Sequence, residues 1–204
     1  MKSETPVLDL DNLPWPADQP KHFVFDVDGT LTDEHSITHQ PTVDALQAAH
    51  AAGYPITVAT GRLLQAGVRL LERAGIEGWV IANCGSIVWD GQSIVHEYPM
   101  PTEQLERFIE LGRSIGVVPA VYFVDDIVMD MGDFDIDAGD MNLLNVALNA
   151  NEGRPIRQLD LETADLRHAT KVQFGGDSRI LDQHQERILE EFPEAVRGHA
   201  FALE

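Results

Sequence analysis

Cysteine is almost missing from this chain. Cys84 stands alone, which rules out an intrachain disulfide and fits a reducing compartment. Lysine is scarce as well: Lys2, Lys21 and Lys171 are the only three among 14 basic residues, set against 34 acidic ones. The net charge of −20 repels a phosphate backbone and an anionic membrane surface, so neither nucleic acid nor membrane is expected as a partner. The same field repels a phosphate substrate, so any phosphate site here needs a metal or local donors. Long apolar runs are lacking too. Nothing approaches the ~20 residues that span a bilayer, and residues 1–21 hold no apolar signal core. A soluble cytoplasmic protein is the expectation. The eight histidines show no metal-ligand spacing. Asp133-x-Asp135-x-Asp137 has Ala138 where a calcium loop needs Gly and Leu144 where it needs Glu, so it reads as a solvated acidic loop.

What is present is an ordinary hydrophobic content, 44% of 204 residues, enough to bury a core. Residues 1–21 hold four prolines and no periodicity, and read as an extension that Trp15 pins to the body. Phe23–Val27 reads as a buried strand. A helix follows from Pro41, with Val43, Leu46 and His50 at helical spacing until Gly53. Pro55–Ala59 is a second strand. The next helix turns Leu63, Leu64, Leu70 and Leu71 inward and stops at Gly75, and Trp79–Ala82 is a third strand. Strand–helix–strand–helix–strand is a parallel α/β pattern with right-handed crossovers. We assign it to residues 22–86 as a Rossmann-like core.

Beyond residue 86 the grammar changes. Ile87–Trp89 and Ser93–His96 flank Asp90-Gly91, a pair suited to a type I′ hairpin turn. A helix carries Leu105, Phe108, Ile109 and Gly112. Ala120–Val124 and Ile127–Asp130 form a second hairpin across Asp125-Asp126. A helix over Met141–Ala150, a strand at Lys171–Phe174, a helix over Ser178–Phe192 and a strand near Val196–Ala202 complete an α+β segment, residues 87–204.

The chemistry concentrates in Asp26-Val27-Asp28-Gly29-Thr30-Leu31. Alternation sends Asp26 and Asp28 to one side of the chain and Val27 to the other. Ligands of open α/β sheets bind beyond the carboxyl ends of the strands, where both acids lie. One carboxylate can attack phosphorus while the other donates and later withdraws a proton. Mg²⁺, which takes oxygen ligands, would offset their charge and clamp the phosphoryl group. Thr60-Gly61 ends the second strand and offers a hydroxyl and backbone N–H groups to phosphate oxygens. Asn83-Cys84-Gly85-Ser86 ends the third strand at the same crevice. Cys84 itself reads as a small packed residue, since no histidine stands beside it in sequence.

These motifs carry a family resemblance. Asp26–Leu31 resembles the first motif of the haloacid dehalogenase superfamily. Val58-Ala59-Thr60-Gly61-Arg62 is similar to its second motif, as found in the Cof-type sugar-phosphatase branch, and Asn83–Ile87 to the segment by which that branch leaves the core for its type II cap. The resemblance covers residues 22–202. It implies Asp26 as nucleophile, Asp28 as acid/base, Mg²⁺ held by Asp26 and the Asp28 backbone carbonyl, and Thr60 and Gly61 on the phosphate. Arg62, Asn83 and Lys171 are the further substrate candidates.

The family pattern also calls for a lysine and a Gly-Asp-x-x-Asn-Asp segment after the cap, which are not found through Glu204. The core is then incomplete, and the first strand becomes a sheet edge able to pair with a second copy. Gly176–Asp182 fits a permitted spacing of the acidic fourth motif, which makes Asp177 or Asp182 the candidate third metal ligand. The start of a cap helix at Ser178 is the preferred reading of that stretch. The implied activity is Mg²⁺-dependent hydrolysis of a small phosphorylated metabolite of the sugar phosphate class, through an aspartyl-phosphate. A phosphomutase on the same scaffold and a non-catalytic binding module are the alternatives.

Overall fold

A computed structural model describes residues 21–130, 157–160, 164–193 and 195. The extension with Trp15, the acidic run Asp133–Asp137, the helix expected over Met141–Ala150 and the strand expected near Val196–Ala202 lie outside the described residues. Two sheets organise the rest.

The first sheet has the order β1-β2-β3-β4-β5. Aromatic and β-branched residues favour extended backbone in β1 (Phe23–Asp26), β2 (Ile56–Ala59) and β3 (Trp79–Ala82), which run parallel. Helices α1 (Gln40–Ala51) and α2 (Leu64–Ala74) make the crossovers. Pro41 occupies the first turn of α1, where its missing N–H costs nothing. Val43 and Leu46 of α1 and Leu64, Leu70 and Leu71 of α2 cover Ile56, Val58 and Val80 in one core. Gly75, at φ 63°, ends α2 in the left-handed conformation that glycine adopts without strain.

The helix–sheet packing is closest at Gly67. A Cβ placed there would lie 2.5 Å from Val80 Cγ1, so only glycine lets α2 approach β3 this nearly.

The sheet does not stop at Ser86. β4 (Ile87–Trp89) pairs antiparallel with β3, and β5 (Ile94–Glu97) with β4. A division drawn at residue 86 therefore falls inside a hydrogen-bonded sheet, and the change of sheet comes after β5. The β4–β5 turn also departs from the expected two-residue form. Asp90 N donates to Ser93 O, while the Asp90 carboxylate accepts from Gln92 N and Ser93 N. This side-chain cap supports a wider loop and displaces the I′ geometry that Asp-Gly alone favours.

At the opposite edge among the described residues, β1 is only half covered. Phe23 stacks on Phe25, and Val24 is 59% exposed. The strand's composition reads as buried, but among the described residues it is an edge strand, as expected for a core that lacks the strands flanking it.

The second sheet has the order β8-β7-β6-β9, made of β6 (Val118–Tyr122), β7 (Ile127–Met129), β8 (Arg157–Gln158) and β9 (Lys171–Gly175). Helices α3 (Thr102–Ile115) and α4 (Ser178–Glu191) accompany it. Leu105 and Ile109 of α3 pack on Val121 and Val128, and Phe108 stacks on Phe174. All five residues of β6 are buried, and alternation says why. Val121 faces α3, while Val118, Ala120 and Tyr122 face the other way and cover Leu63, the residue just before α2. One leucine of the first unit thus seats the back of the second sheet.

Gly67→Ala should cost about 1–3 kcal/mol in urea unfolding, the usual penalty for an overpacked contact. Adding Val80→Ala should return part of that loss, which identifies the clash as its source.

Candidate active site

Three chain segments reach the crevice from the carboxyl ends of β1, β2 and β3. After β1 the backbone winds around one acceptor: the Val27 carbonyl takes hydrogen bonds from the N–H groups of Thr30, Leu31 and Thr32 at 2.9–3.2 Å, and from the Thr32 hydroxyl at 3.0 Å. Gly29 supplies the left-handed residue (φ 77°) that this tight winding needs. Val27 is buried, and Asp26 and Asp28 on either side are exposed, as the alternation predicts.

Asp28 is claimed by Arg62. The guanidinium donates through Nε at 3.1 Å and through Nη2, and Nη2 also reaches Ser36 Oγ at 2.7 Å. Such a fork fixes the direction of the carboxylate as well as its charge. Ser36 is presented by a loop ordered around Asp33, whose carboxylate accepts from Ile37 N, His35 N and His39 Nε2. These bonds, that from Ile37 first, hold Asp33 below the usual carboxylate range. Arg62, expected to meet substrate, is thus committed to Asp28. Asp26 has no side-chain partner among the described residues.

The turns after β2 and β3 are laced together. Thr60 N donates to Ile81 O at 2.8 Å, Asn83 N to Arg62 O at 2.9 Å and Cys84 N to Thr60 O at 3.3 Å. Thr60 is buried, its hydroxyl accepts from Arg62 N, and Gly61 is exposed at the surface of the crevice. Asn83 and Cys84 both adopt positive φ, 49° and 58°, an uncommon conformation for residues with a Cβ.

Asn83 is fully buried and turned toward the second sheet. Its Nδ2 donates to Phe123 O and to Thr170 Oγ1, both at 2.9 Å, while Oδ1 has no partner among the described residues. Both hydrogen bonds donated by its Nδ2 are therefore spent between the sheets. Cys84, expected to be packed, is exposed. Its Sγ lies 3.3 Å from where a Cβ on Gly61 would sit, because the left-handed turn throws the side chain outward over Gly61.

Lys171 enters from β9. Its Nζ donates to Gly61 O at 2.9 Å and lies 3.8 Å from the centre of the Tyr122 ring. Burial pushes the ammonium below the ordinary lysine range, with the Cys84 thiol acting in the opposite sense. Burial also pushes the Tyr122 hydroxyl up to about 12. Tyr122, Ser36 and Thr170 were not foreseen as neighbours of the site, and nothing in their local sequence marks them.

Both candidates for a third metal ligand belong to α4 and its N-cap. Asp177 caps α4, accepting from Arg179 N at 2.8 Å, and pairs with the Arg179 side chain. Asp182 lies on the exposed surface of that helix. Among the described residues no three His, Cys, Asp or Glu side chains gather as a metal site.

A family model for haloacid dehalogenase-like hydrolases matches residues 23–204. The chain belongs to that family. A phosphoglycolate phosphatase of Methanopyrus kandleri is 30% identical over 96 residues, 46% of this chain and 41% of the relative. The Bacillus subtilis protein YkrA, whose phosphatase name is provisional, is 24% identical over 106 residues, 52% of this chain and 40% of its own length. The chain thus spans about two fifths of each relative in these matches. A haloacid dehalogenase-like hydrolase of Bacteroides thetaiotaomicron shares the fold with TM-score 0.70 at 20% identity, over 84% of this chain and 64% of that one. The subclass IIB sugar phosphatase BT4131 does so with TM-score 0.69 at 21% identity, over 89% and 67%. These structures establish the α/β fold, with its Rossmann-like sheet.

Asn83→Ala would leave Phe123 O and Thr170 Oγ1 without their donor. It should lower stability by about 1–3 kcal/mol, read as a shift in the urea midpoint.

Proposed function

We propose that this chain carries the nucleophile side of a Mg²⁺-dependent phosphoric monoester hydrolase acting on a small phosphorylated metabolite. One observation supports this reading above the others. Asp26 and Asp28 emerge on one side of the chain at the carboxyl end of β1, beside the Thr60-Gly61 turn of the adjacent strand.

In this reading Asp26, free of partners among the described residues, attacks phosphorus and the alcohol oxygen leaves. Asp28 gives that oxygen a proton, then withdraws one from the water that cleaves the aspartyl-phosphate. Arg62 holds Asp28 by the fork described above and must release one of its donors when Asp28 carries the proton. Thr60 and Gly61 present the end of β2 to the phosphate oxygens.

The donors fit Mg²⁺ in kind, since Asp26 offers a carboxylate and Asp28 a backbone carbonyl, both hard oxygens. They fit its habit of using one or two carboxylates and keeping several waters. When bound, Mg²⁺ supplies charge neutralisation at the transferring phosphoryl group. The second sheet, with α3 and α4, serves as a cap over this crevice, and the sugar phosphates are the substrate class first to be tried.

A binding module remains the second reading, favoured by the missing third acidic ligand among the described residues. Hydrolysis of p-nitrophenyl phosphate with and without Mg²⁺ separates the two. Asp26→Asn should bring the rate to background, and Asp28→Asn should lower it by about 10²–10⁴-fold. Equal rates in wild type and Asp26→Asn would sink the hydrolase reading.

A further inference from the structure

Among the described residues two cations reach the crevice, Arg62 and Lys171, and they are used differently. Arg62 is committed to Asp28 and Ser36. Among the described residues Lys171 contacts the Gly61 carbonyl and the face of the Tyr122 ring, and no carboxylate. The Cys84 side chain is near enough to favour the ammonium when its thiol is ionised. In a chain with 34 acidic residues against 14 basic ones, a half-buried lysine without a carboxylate partner is unusual. Desolvation penalises the ammonium, and neither a carbonyl nor a ring returns what a counter-charge would.

The position is as telling as the lack of an anion. Lys171 stands opposite Tyr122 in the β6–β9 pairing, so its stem is rooted in the second sheet. Its head nevertheless reaches across to the turn after β2, 110 residues away in sequence. The carbonyl it holds belongs to Gly61, the exposed residue of that turn.

We propose that Lys171 is the cation that anchors the phosphoryl group. It rests on Gly61 O while the crevice is empty and transfers a hydrogen bond to a phosphate oxygen when an anion enters. The inference rests on the phosphate-site reading given above, and it assigns a binding role to a residue of the second sheet. The anion is then held by both sheets at once, and its charge contributes to keeping the cap on the core.

Inorganic phosphate, titrated by calorimetry into the full chain with Mg²⁺ present, tests this. Lys171→Met should weaken binding by about tenfold to a hundredfold, as expected for the loss of a charge-assisted hydrogen bond. Lys171→Arg, which keeps the charge, should stay within a few-fold of wild type.

A pH series separates anchoring from mere support of the fold. Binding that needs the ammonium is complete below its depressed pKa and is lost as pH rises through it. That alkaline fall should be present in wild type and vanish in Lys171→Arg, whose guanidinium stays charged. Cys84 and Tyr122 are the titratable groups facing Lys171, so the series is run in a Cys84→Ser background, below the range near 12 where Tyr122 ionises. Wild-type affinity in Lys171→Met, an unchanged alkaline fall in Lys171→Arg, or no phosphate binding by wild type overturns the proposal. Lys171-dependent phosphate binding without Asp26-dependent hydrolysis upholds the anchor while rejecting the hydrolase. Hydrolysis with Lys171-independent phosphate binding does the reverse.

Discussion

The buried amide of Asn83 is the constraint on which the arrangement depends. It ends β3, yet both its donated hydrogen bonds go to the second sheet, one to Phe123 O and one to Thr170 Oγ1. Ser86 adds a bond to Thr170 O at 3.1 Å. The backbone at Asn83 and Cys84 takes left-handed values to make this reach, a strain of order 1–3 kcal/mol per residue that surrounding structure must over-determine. The lacing of Thr60 to Cys84 and of Arg62 to Asn83 provides that support. The same backbone bonds that join the two turns of the crevice therefore also set where the second sheet stands.

Charge is managed locally in this crevice and not by the molecule at large. A net charge of −20 makes the protein a poor host for a phosphate dianion at a distance, and screening beyond ~10 Å weakens that field without reversing it. What counts is within contact range. The Arg62 fork offsets Asp28, Asp33 orders the loop that brings Ser36 to Arg62, and Lys171 is brought in from a different sheet. Each contact is short, so it survives a surrounding field of the wrong sign.

How much of this was legible in the sequence follows from the range of the interactions. Alternation around Val27 placed Asp26 and Asp28 together, because it depends on neighbours in the chain. The helices over Val43–Leu46 and Leu64–Leu71 were equally readable from their spacing. The β4–β5 turn was misread, because the Asp90 side chain outcompeted the dipeptide preference. The Asp90-Gly91 hairpin was readable, but a hairpin signal does not say which sheet the hairpin joins, and β4 and β5 extend the first one. Cys84 was read as packed, because no local pattern announces a residue other than glycine at φ 58°. Asn83 and Lys171 were named as candidates, but their contacts lay beyond reach for the plainest reason: the partners are up to 87 and 110 residues distant.

Leu63 shows how the two sheets share one mechanical problem. It precedes α2 by one position and is fully buried, but its neighbours are Val118, Ala120, Tyr122, Ile127 and Met129 of the second sheet. Burying a leucine stabilises by roughly 1.5–3 kcal/mol, and here that stabilisation exists only while the second sheet sits on the crevice. Two residues before it, Gly61 receives Lys171 from the same sheet. Tyr122 is common to both contacts, packing on Leu63 and lying under the Lys171 ammonium. Any motion that lifts the sheet must therefore break an apolar contact and a polar one together. The closed arrangement is a single cooperative unit, centred on the turn that joins β2 to α2.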